Sequence, residues 1–340
     1  MRSTLKKIML VLTIFALLAP SSSWCADRVK LVIIGDSTVQ TFGEERDKRG
    51  WGQYFDELFS DNIDTVNLAK SGRSTKTFID EGLWEEALVE KGNYVLIQFG
   101  HNDSHPKERP ESTDAATDYR DYLRQYIDEA QAQGAKPVLI TPMHRRLFNG
   151  GLPTIELAPY VNAMKAVASE KNVPLIDLHE RSGKVLVRLG DDGSEFLYVS
   201  PKDRTHFSER GARLMAGFVA DELGVVAPEL KQYLKKGSGK MLRHVVLFKF
   251  KDGTSDIDIA HVEEAFSELP DKIEVIHDFE YGTNVSSENL SQGFTHCFFL
   301  SFLTAADRDN YLPHPAHKAF GKVLSPHVDK VLVVDYFVED

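Results

Sequence analysis

From Val29 onward the apolar positions follow two alternating rhythms. Short runs, most of them β-branched and nearly continuous, occur at Val29–Ile34, Ile63–Ala69, Tyr94–Gln98, Pro137–Ile140 and Val173–Ile176. Runs of that length and composition predict strands covered on both faces. Between them, apolar residues recur every three or four positions. Ala116, Tyr119, Leu123, Tyr126 and Ala130 make one such stripe within Asp114–Gln133, stopped by Gly134. Leu157, Tyr160, Val161, Met164 and Val167 make another. Both stripes read as helix faces turned toward a core. Strands that alternate with helices predict an α/β domain on a parallel sheet, with ligands bound beyond the carboxyl ends of the strands.

The rhythm breaks after a helical pattern at Ser208–Leu223. Ala227-Pro228 interrupts it, and Lys235-Lys236-Gly237-Ser238-Gly239-Lys240 has the composition of a flexible linker. A second pattern starts at Met241. Arg243–Phe250 predicts a strand, Ile257–Leu269 a helix, and Ile273–Asn284 and Thr295–Leu303 two more strands. A helical region around Ala316–Leu324 precedes a last strand at Val331–Val338. The order β-α-β-β-α-β is that of a ferredoxin-like α+β unit. The expected organisation is therefore a first domain at 28–232, a linker at 233–240 and a second domain at 241–340.

Residues 1–25 stand outside this pattern. Arg2, Lys6 and Lys7 precede an apolar run from Ile8 to Ala19, followed by Pro20 and three serines. This is the layout of a secretory signal peptide, with cleavage expected between Ser23 and Ala26. The run falls short of the roughly 20 residues that span a bilayer, so no stable membrane insertion is expected after cleavage. An uncleaved anchor is the alternative. The localisation implied is periplasmic or extracellular.

Composition narrows the choice further. The chain has 340 residues, 42% hydrophobic and 27% charged, which is globular rather than disordered. Its two cysteines cannot build a disulfide framework or a four-cysteine zinc site. The net charge of −11 argues against a general nucleic-acid binder, which needs a basic face. That charge is unevenly spread. Residues 241–340 hold 8 Lys+Arg and 17 Asp+Glu, a net of −9, which leaves only −2 for residues 1–240.

Four segments of the first domain carry chemistry, three of them directly after predicted strands. Gly35-Asp36-Ser37 follows the first, where a tight turn exposes a serine at the sheet edge. Asn67–Ser74 follows the second; in it Gly72 can bring a bare backbone N–H close to a ligand. Gly100-His101-Asn102-Asp103 follows the third, and Asn102 offers a side-chain amide donor. Asp203-Arg204-Thr205-His206 precedes the last helix of the domain. An aspartate three residues before a histidine can orient the imidazole, which can then take a proton from a serine hydroxyl. Nucleophile, base, orienting carboxylate and oxyanion donors are thus all present. Asp36 reads better as a turn residue than as a catalyst. His101 either lines the pocket or packs, and Arg73 either meets an anionic sugar or stays solvated.

These blocks, in this order, resemble the SGNH (GDSL-type) hydrolases. More narrowly, Gly35–Val39, Gly50-Trp51-Gly52-Gln53, Gly72-Arg73-Ser74, Phe99–Asp103 and Asp203–Phe207 resemble the rhamnogalacturonan acetylesterase branch. The resemblance spans about residues 28–225. It implies a flavodoxin-like three-layer α/β/α sandwich with Ser37 as nucleophile, His206 as base and Asp203 as third member of the triad. It places the oxyanion hole at the Ser37 and Gly72 N–H groups and the Asn102 amide. Arg73 and His101 are the candidate substrate contacts, and neither a metal nor a cofactor is required. The expected substrate is an acetylated polysaccharide. Two rivals remain: an esterase or lipase acting on another acyl ester, and a non-catalytic binding or assembly protein with a vestigial hydrolase domain.

Met241–Asp340 resembles the stress-responsive A/B barrel (Dabb) domain. The resemblance rests on His244–Phe250, on Tyr311-Leu312-Pro313-His314-Pro315-Ala316-His317 and on Val333-Val334-Asp335-Tyr336. It implies a dimeric α/β barrel, and so a homodimer through 241–340. Seven of the twelve histidines lie here. His244, His296, His314 and His317 admit a metal site or a small-molecule site, but no spacing selects either over scattered structural histidines.

Overall fold

The computed structural model describes residues 28–235, 237 and 240–338. The predicted signal peptide lies outside the described residues, as does part of the predicted linker.

Eight main strands and helices come first in the chain. They are β1 (Val29–Gly35), β2 (Ile63–Asn67), the short helices α1 (Thr75–Asp80) and α2 (Leu83–Val89), β3 (Tyr94–Gln98), α3 (Asp118–Ala132), β4 (Lys136–Ile140) and, after a small hairpin, α4 (Ala158–Lys171). The hairpin comprises β5 (Phe148–Asn149) and β6 (Leu152–Pro153). A last short strand β7 (Leu175–Ile176) leads into α5 (Leu178–Gly193) and α6 (Glu209–Val226). The main sheet is parallel throughout, in the order β2-β1-β3-β4-β7.

Strand periodicity explains why the runs are apolar without alternation. Leu31, Ile33, Leu96, Val138 and Ile140 point to one face, where they pack with Leu214, Met215 and Val219 of α6. Val32, Ile34, Val95, Ile97 and Leu139 point to the other, against Tyr119, Leu123 and Tyr126 of α3 and Met164 and Val167 of α4. Successive residues thus serve opposite cores, and neither face can be polar. The helix predicted from Asp114 begins later, at Asp118. The Asp114 carboxylate accepts the Ala116 N–H at 2.8 Å and holds that stretch as a turn, so Ala116 is exposed rather than core.

The strand order places the ligand crevice. After β1 the chain moves to one side to form β2, then crosses back to lay β3 on the other side. This reversal is the switch point at which open α/β sheets bind ligands. Gly35 ends β1 there. A Cβ on it would sit 2.7 Å from both the Gln98 carbonyl oxygen and Val39 Cγ2, so only glycine lets the turn close against β3.

The second domain is built as its pattern predicts, with shifted boundaries. Its elements are β8 (Leu242–Phe250), α7 (Asp256–Ser267), α8 (Leu269–Lys272), β9 (Asp278–Thr283), β10 (His296–Phe302), α9 (Ala305–Tyr311), α10 (Pro315–Leu324) and β11 (Val328–Phe337). The antiparallel sheet runs β11-β8-β10-β9. Ile273 and Ile276, expected in a strand, are buried three residues apart on a turn, a helical spacing that leaves β9 to start at Asp278.

Candidate active site

Ser37 stands at the first turn after β1, and its neighbours are fixed by a buried polar network. Asp36 is fully buried. One of its oxygens accepts the Thr38 N–H at 2.8 Å and the Thr38 hydroxyl at 2.7 Å. The other faces His101 Nδ1 at 3.2 Å, while His101 Nε2 lies 3.0 Å from the Met143 carbonyl. Gln98 completes the set: its amide donates to Thr38 Oγ1 at 2.8 Å and its carbonyl accepts Trp51 Nε1–H at 2.7 Å. Burial raises the Asp36 carboxyl, but His101 and the Thr38 donors outweigh it and hold the group below its ordinary value. The β1 turn is thereby tied to the loops after β3 and β4.

His206 reaches Ser37 from the segment just before α6. Its Nε2 lies 2.9 Å from Ser37 Oγ, and its Nδ1 lies 2.9 and 3.1 Å from the two oxygens of Asp203. Local turns set this geometry. Asp203 Oδ1 also accepts the backbone N–H groups of Thr205 at 3.1 Å and His206 at 2.9 Å. Two residues on, Ser208 caps α6 by accepting the Gly211 N–H. Burial lifts the Asp203 carboxyl; the backbone and imidazole N–H donors of His206 more than offset this and lower it below the usual carboxylate range. With Nδ1–H donated to Asp203, the Nε2 lone pair faces the serine hydroxyl.

Of the donors expected around Ser37, Asn102 lines the crevice with it, while Gly72 is not among the residues that line it. Neither the Ser37 nor the Gly72 backbone N–H has an acceptor among the described residues. Gly72 has φ +81°, the left-handed region that glycine enters without strain. Asn102 Nδ2 donates one hydrogen to the Arg73 carbonyl at 2.9 Å, which fixes the amide and leaves its second hydrogen free. Below them Asp103 takes the Thr75 N–H, the Thr75 hydroxyl and the Thr113 hydroxyl, although burial pushes its carboxyl up to about 7. It pins the start of α1 to the β3 loop.

Two expected substrate contacts are placed differently. Arg73 does not line the pocket: its guanidinium is held by Glu81 at 2.7 Å and by the Ser71 carbonyl at 2.9 Å. Its contribution is its own carbonyl, the acceptor that fixes Asn102. His101 does line the pocket but both ring nitrogens are already engaged, which leaves no free atom for a sugar. Sequence reading missed Arg145 and Lys202. Both line the crevice of about 680 Å³ that contains Ser37, Asn102 and His206. Arg145 follows β4 at the same sheet edge as the other blocks, which is the signal that points to it.

The four candidate second-domain histidines do not gather at one point; His244 and His317 line one cavity, and His296 and His314 are not among its lining residues. His244 Nδ1 lies 2.6 Å from Asp335, which also pairs with Arg308; His296 pairs with Glu263 at 3.3 Å. His314 accepts the Ala316 N–H at its own helix start, and His317 bonds the Leu312 carbonyl. Among the described residues no cluster of His, Cys, Asp and Glu is grouped to hold a metal ion. His244, Tyr311 and His317 share a cavity of about 450 Å³ between the sheet and α10.

Serine hydroxyl, imidazole and carboxylate in series, at the strand ends of a parallel α/β sheet, form the arrangement of a serine hydrolase. Comparison with known proteins agrees. A model described as the GDSL-like Lipase/Acylhydrolase family matches residues 33–214, and the chain belongs to that family. A model described as the Stress responsive A/B Barrel Domain matches residues 242–338. Two proteins of Bacillus subtilis (strain 168) are similar to the first domain. One, named "Probable rhamnogalacturonan acetylesterase YesY", is 39% identical over 211 residues, covering 58% of this chain and 95% of that protein. The other, named rhamnogalacturonan acetylesterase RhgT, is 35% identical over 228 residues, covering 62% and 97%. The crystal structure of Bacillus subtilis YxiM superposes with a TM-score of 0.52 at 26% identity, over 58% of this chain and 56% of that one. The protein is a carboxylic ester hydrolase.

Proposed function

We propose that the protein is a secreted serine O-acetylesterase acting on an acetylated, rhamnogalacturonan-like polysaccharide, with Ser37 as nucleophile, His206 as general base and Asp203 as the group that orients it. The observation that carries this reading is the unbroken chain Asp203–His206–Ser37, with each link at 2.9 Å. Ser37 Oγ attacks the ester carbonyl as its proton passes to His206 Nε2. The developing oxyanion is received by the Ser37 and Gly72 N–H groups and the Asn102 amide. His206 then protonates the departing sugar oxygen, leaving an acetyl-enzyme. Water activated by the same imidazole releases acetate.

Three further points support the reading. The two Bacillus subtilis relatives named rhamnogalacturonan acetylesterases are covered almost end to end by this chain. Among the described residues the pocket lining has one aliphatic side chain, Leu147, which suits a small acetyl group better than a long acyl chain. The charge pattern and apolar run of residues 2–19 support secretion. Ser37→Ala should abolish acetate release from acetylated rhamnogalacturonan while thermal unfolding stays unchanged. Residual turnover within tenfold of the parent would remove Ser37 from the reaction, and failure of an organophosphonate to label Ser37 would favour a vestigial site.

The second domain is proposed to pair two copies of the chain. Its edge strand β11 leaves Leu332 38% and Val334 47% exposed, beside Leu247 and Val245 of β8 on the same outer face. A continuous apolar sheet face of this kind is best covered by a second copy.

A further inference from the structure

Among the described residues, three acidic or basic side chains of the first domain are buried: Asp36, Asp103 and Arg146. Asp36 ties down the turn that carries Ser37, and Asp103 pins the start of α1 to the loop that carries Asn102. The segment that Arg146 ties down is the one that carries Asp203 and His206.

That segment lacks a scaffold of its own. Residues 199–206 belong to no helix or strand, and Pro201 and Lys202 are exposed. Its ends are closed by the Val199 N–H, which donates to the His206 carbonyl at 3.0 Å. Arg146, in the loop after β4, grips it at two points. Its Nη2 donates to the Pro201 carbonyl at 2.9 Å, two residues before Asp203. Its backbone N–H donates to the Arg204 carbonyl at 2.8 Å, and Arg204 Nη1 returns a bond to the Arg146 carbonyl at 2.9 Å. A third anchor lies in α5. Arg146 Nη1 donates to the Asp191 carbonyl at 3.1 Å, just past the kink at Gly190. The Asp191 carboxylate lies 3.4 Å from that nitrogen and 2.8 Å from Arg204 Nη1, so one acid balances both cations. The Arg146 side chain is 1% exposed and lies over the Tyr198 ring at 5.6 Å. A guanidinium packed this closely has little room to turn, and its planar fork holds two carbonyls at once.

We propose that Arg146 is a positioning residue for the triad: it bolts the Asp203–His206 segment to the loop after β4 and to α5, and so keeps His206 Nε2 at Ser37 Oγ. The proposal rests on the esterase reading above and adds to it the side chain that sets the place of the base. Arg146 is not among the residues that line the crevice, so its effect reaches the reaction through Asp203 and His206.

The test uses the full chain with para-nitrophenyl acetate as substrate. Arg146→Met should lower kcat by about 10²-fold with KM changed little, the loss expected when a reacting group shifts by about 1 Å. Arg146→Lys keeps the charge without the fork and should fall between Arg146→Met and the parent. The His206 Nδ1 proton held by Asp203, seen far downfield in proton NMR of the parent, should broaden or move upfield in Arg146→Met. Arg204→Gln and Asp191→Asn, at more exposed positions, should give smaller losses of the same kind, and they carry the test if Arg146→Met does not fold. Unchanged kcat in folded Arg146→Met, or in both milder variants where it does not fold, would overturn the proposal. A loss confined to KM, or a kcat loss with the His206 signal unmoved, would overturn it as well. A parent that does not hydrolyse the ester would overturn the esterase reading instead, which separates the two failures.

Discussion

At the scale of single residues, the site depends on which polar atoms are already occupied. Ser37, Gly72, Asn102, Asp203 and His206 stand out in the sequence because each role in the proposed reaction needs a particular residue type at a strand end or helix start. Occupancy is not legible. Arg73 and Arg145 are both arginines after strands, but Glu81 neutralises the first, and no carboxylate among the described residues meets the second. The partner of Arg73 is eight residues away and that of His101 is sixty-five, so only the folded chain reveals that both are spent. The same logic makes Asn102 testable. One amide hydrogen is fixed on the Arg73 carbonyl, and the other has no acceptor among the described residues, as the proposed oxyanion role requires. Asn102→Ala should lower kcat by about 10²–10³, with KM changed little. A loss confined to KM would assign Asn102 to substrate binding instead.

At the scale of elements, the strongly periodic segments are read correctly and the short ones are not. β1, β3 and β4 are legible because both of their faces serve cores, and α3 and α4 because one stripe does. α1, α2 and α9 carry too few turns for a stripe to emerge. α1 and α9 are instead set by capping boxes at Ser74/Thr77 and Thr304/Asp307, and α2 by burial of Trp84. The segment joining β4 to α5 brings a pH response of its own. His144 stacks on His179 with ring centroids 3.7 Å apart. Burial, with His179 beside it, pushes His144 down to about 4. An unfolded histidine titrates near ~6.5. Between that value and about 4 the unfolded chain binds a proton that folded His144 refuses, so this residue erodes stability as the pH falls. Thermal unfolding of His144→Gln should therefore decline less than the parent between pH 6.5 and 4, by differential scanning calorimetry. Parallel declines would exclude His144 as the source.

At the scale of the whole molecule, the two domains touch as well as follow one another. Arg210, in the first turn of α6 just beyond His206, donates to the Glu274 carbonyl at 2.6 Å and lies 3.7 Å from Asp307. Leu303 and Met241 of the second domain pack against the core of the first. On the outer sheet face, Leu332 and Val334 stay exposed, as the proposed pairing requires. Val334→Asp in the full chain should convert a sedimenting dimer to a monomer, because it places an unpaired charge on the apolar part of that face. A dimer that survives the substitution would locate pairing elsewhere. The sequence by itself determined two domains, a parallel and an antiparallel sheet, the division of charge between them and the residue types able to hydrolyse an ester. These follow from local periodicity and from chemistry that few side chains can perform. The tertiary structure alone decided which strand ends meet at the switch point, which arginine keeps its charge free and which sheet face stays uncovered. Those depend on contacts between residues far apart in the chain, whose pairing no local pattern encodes.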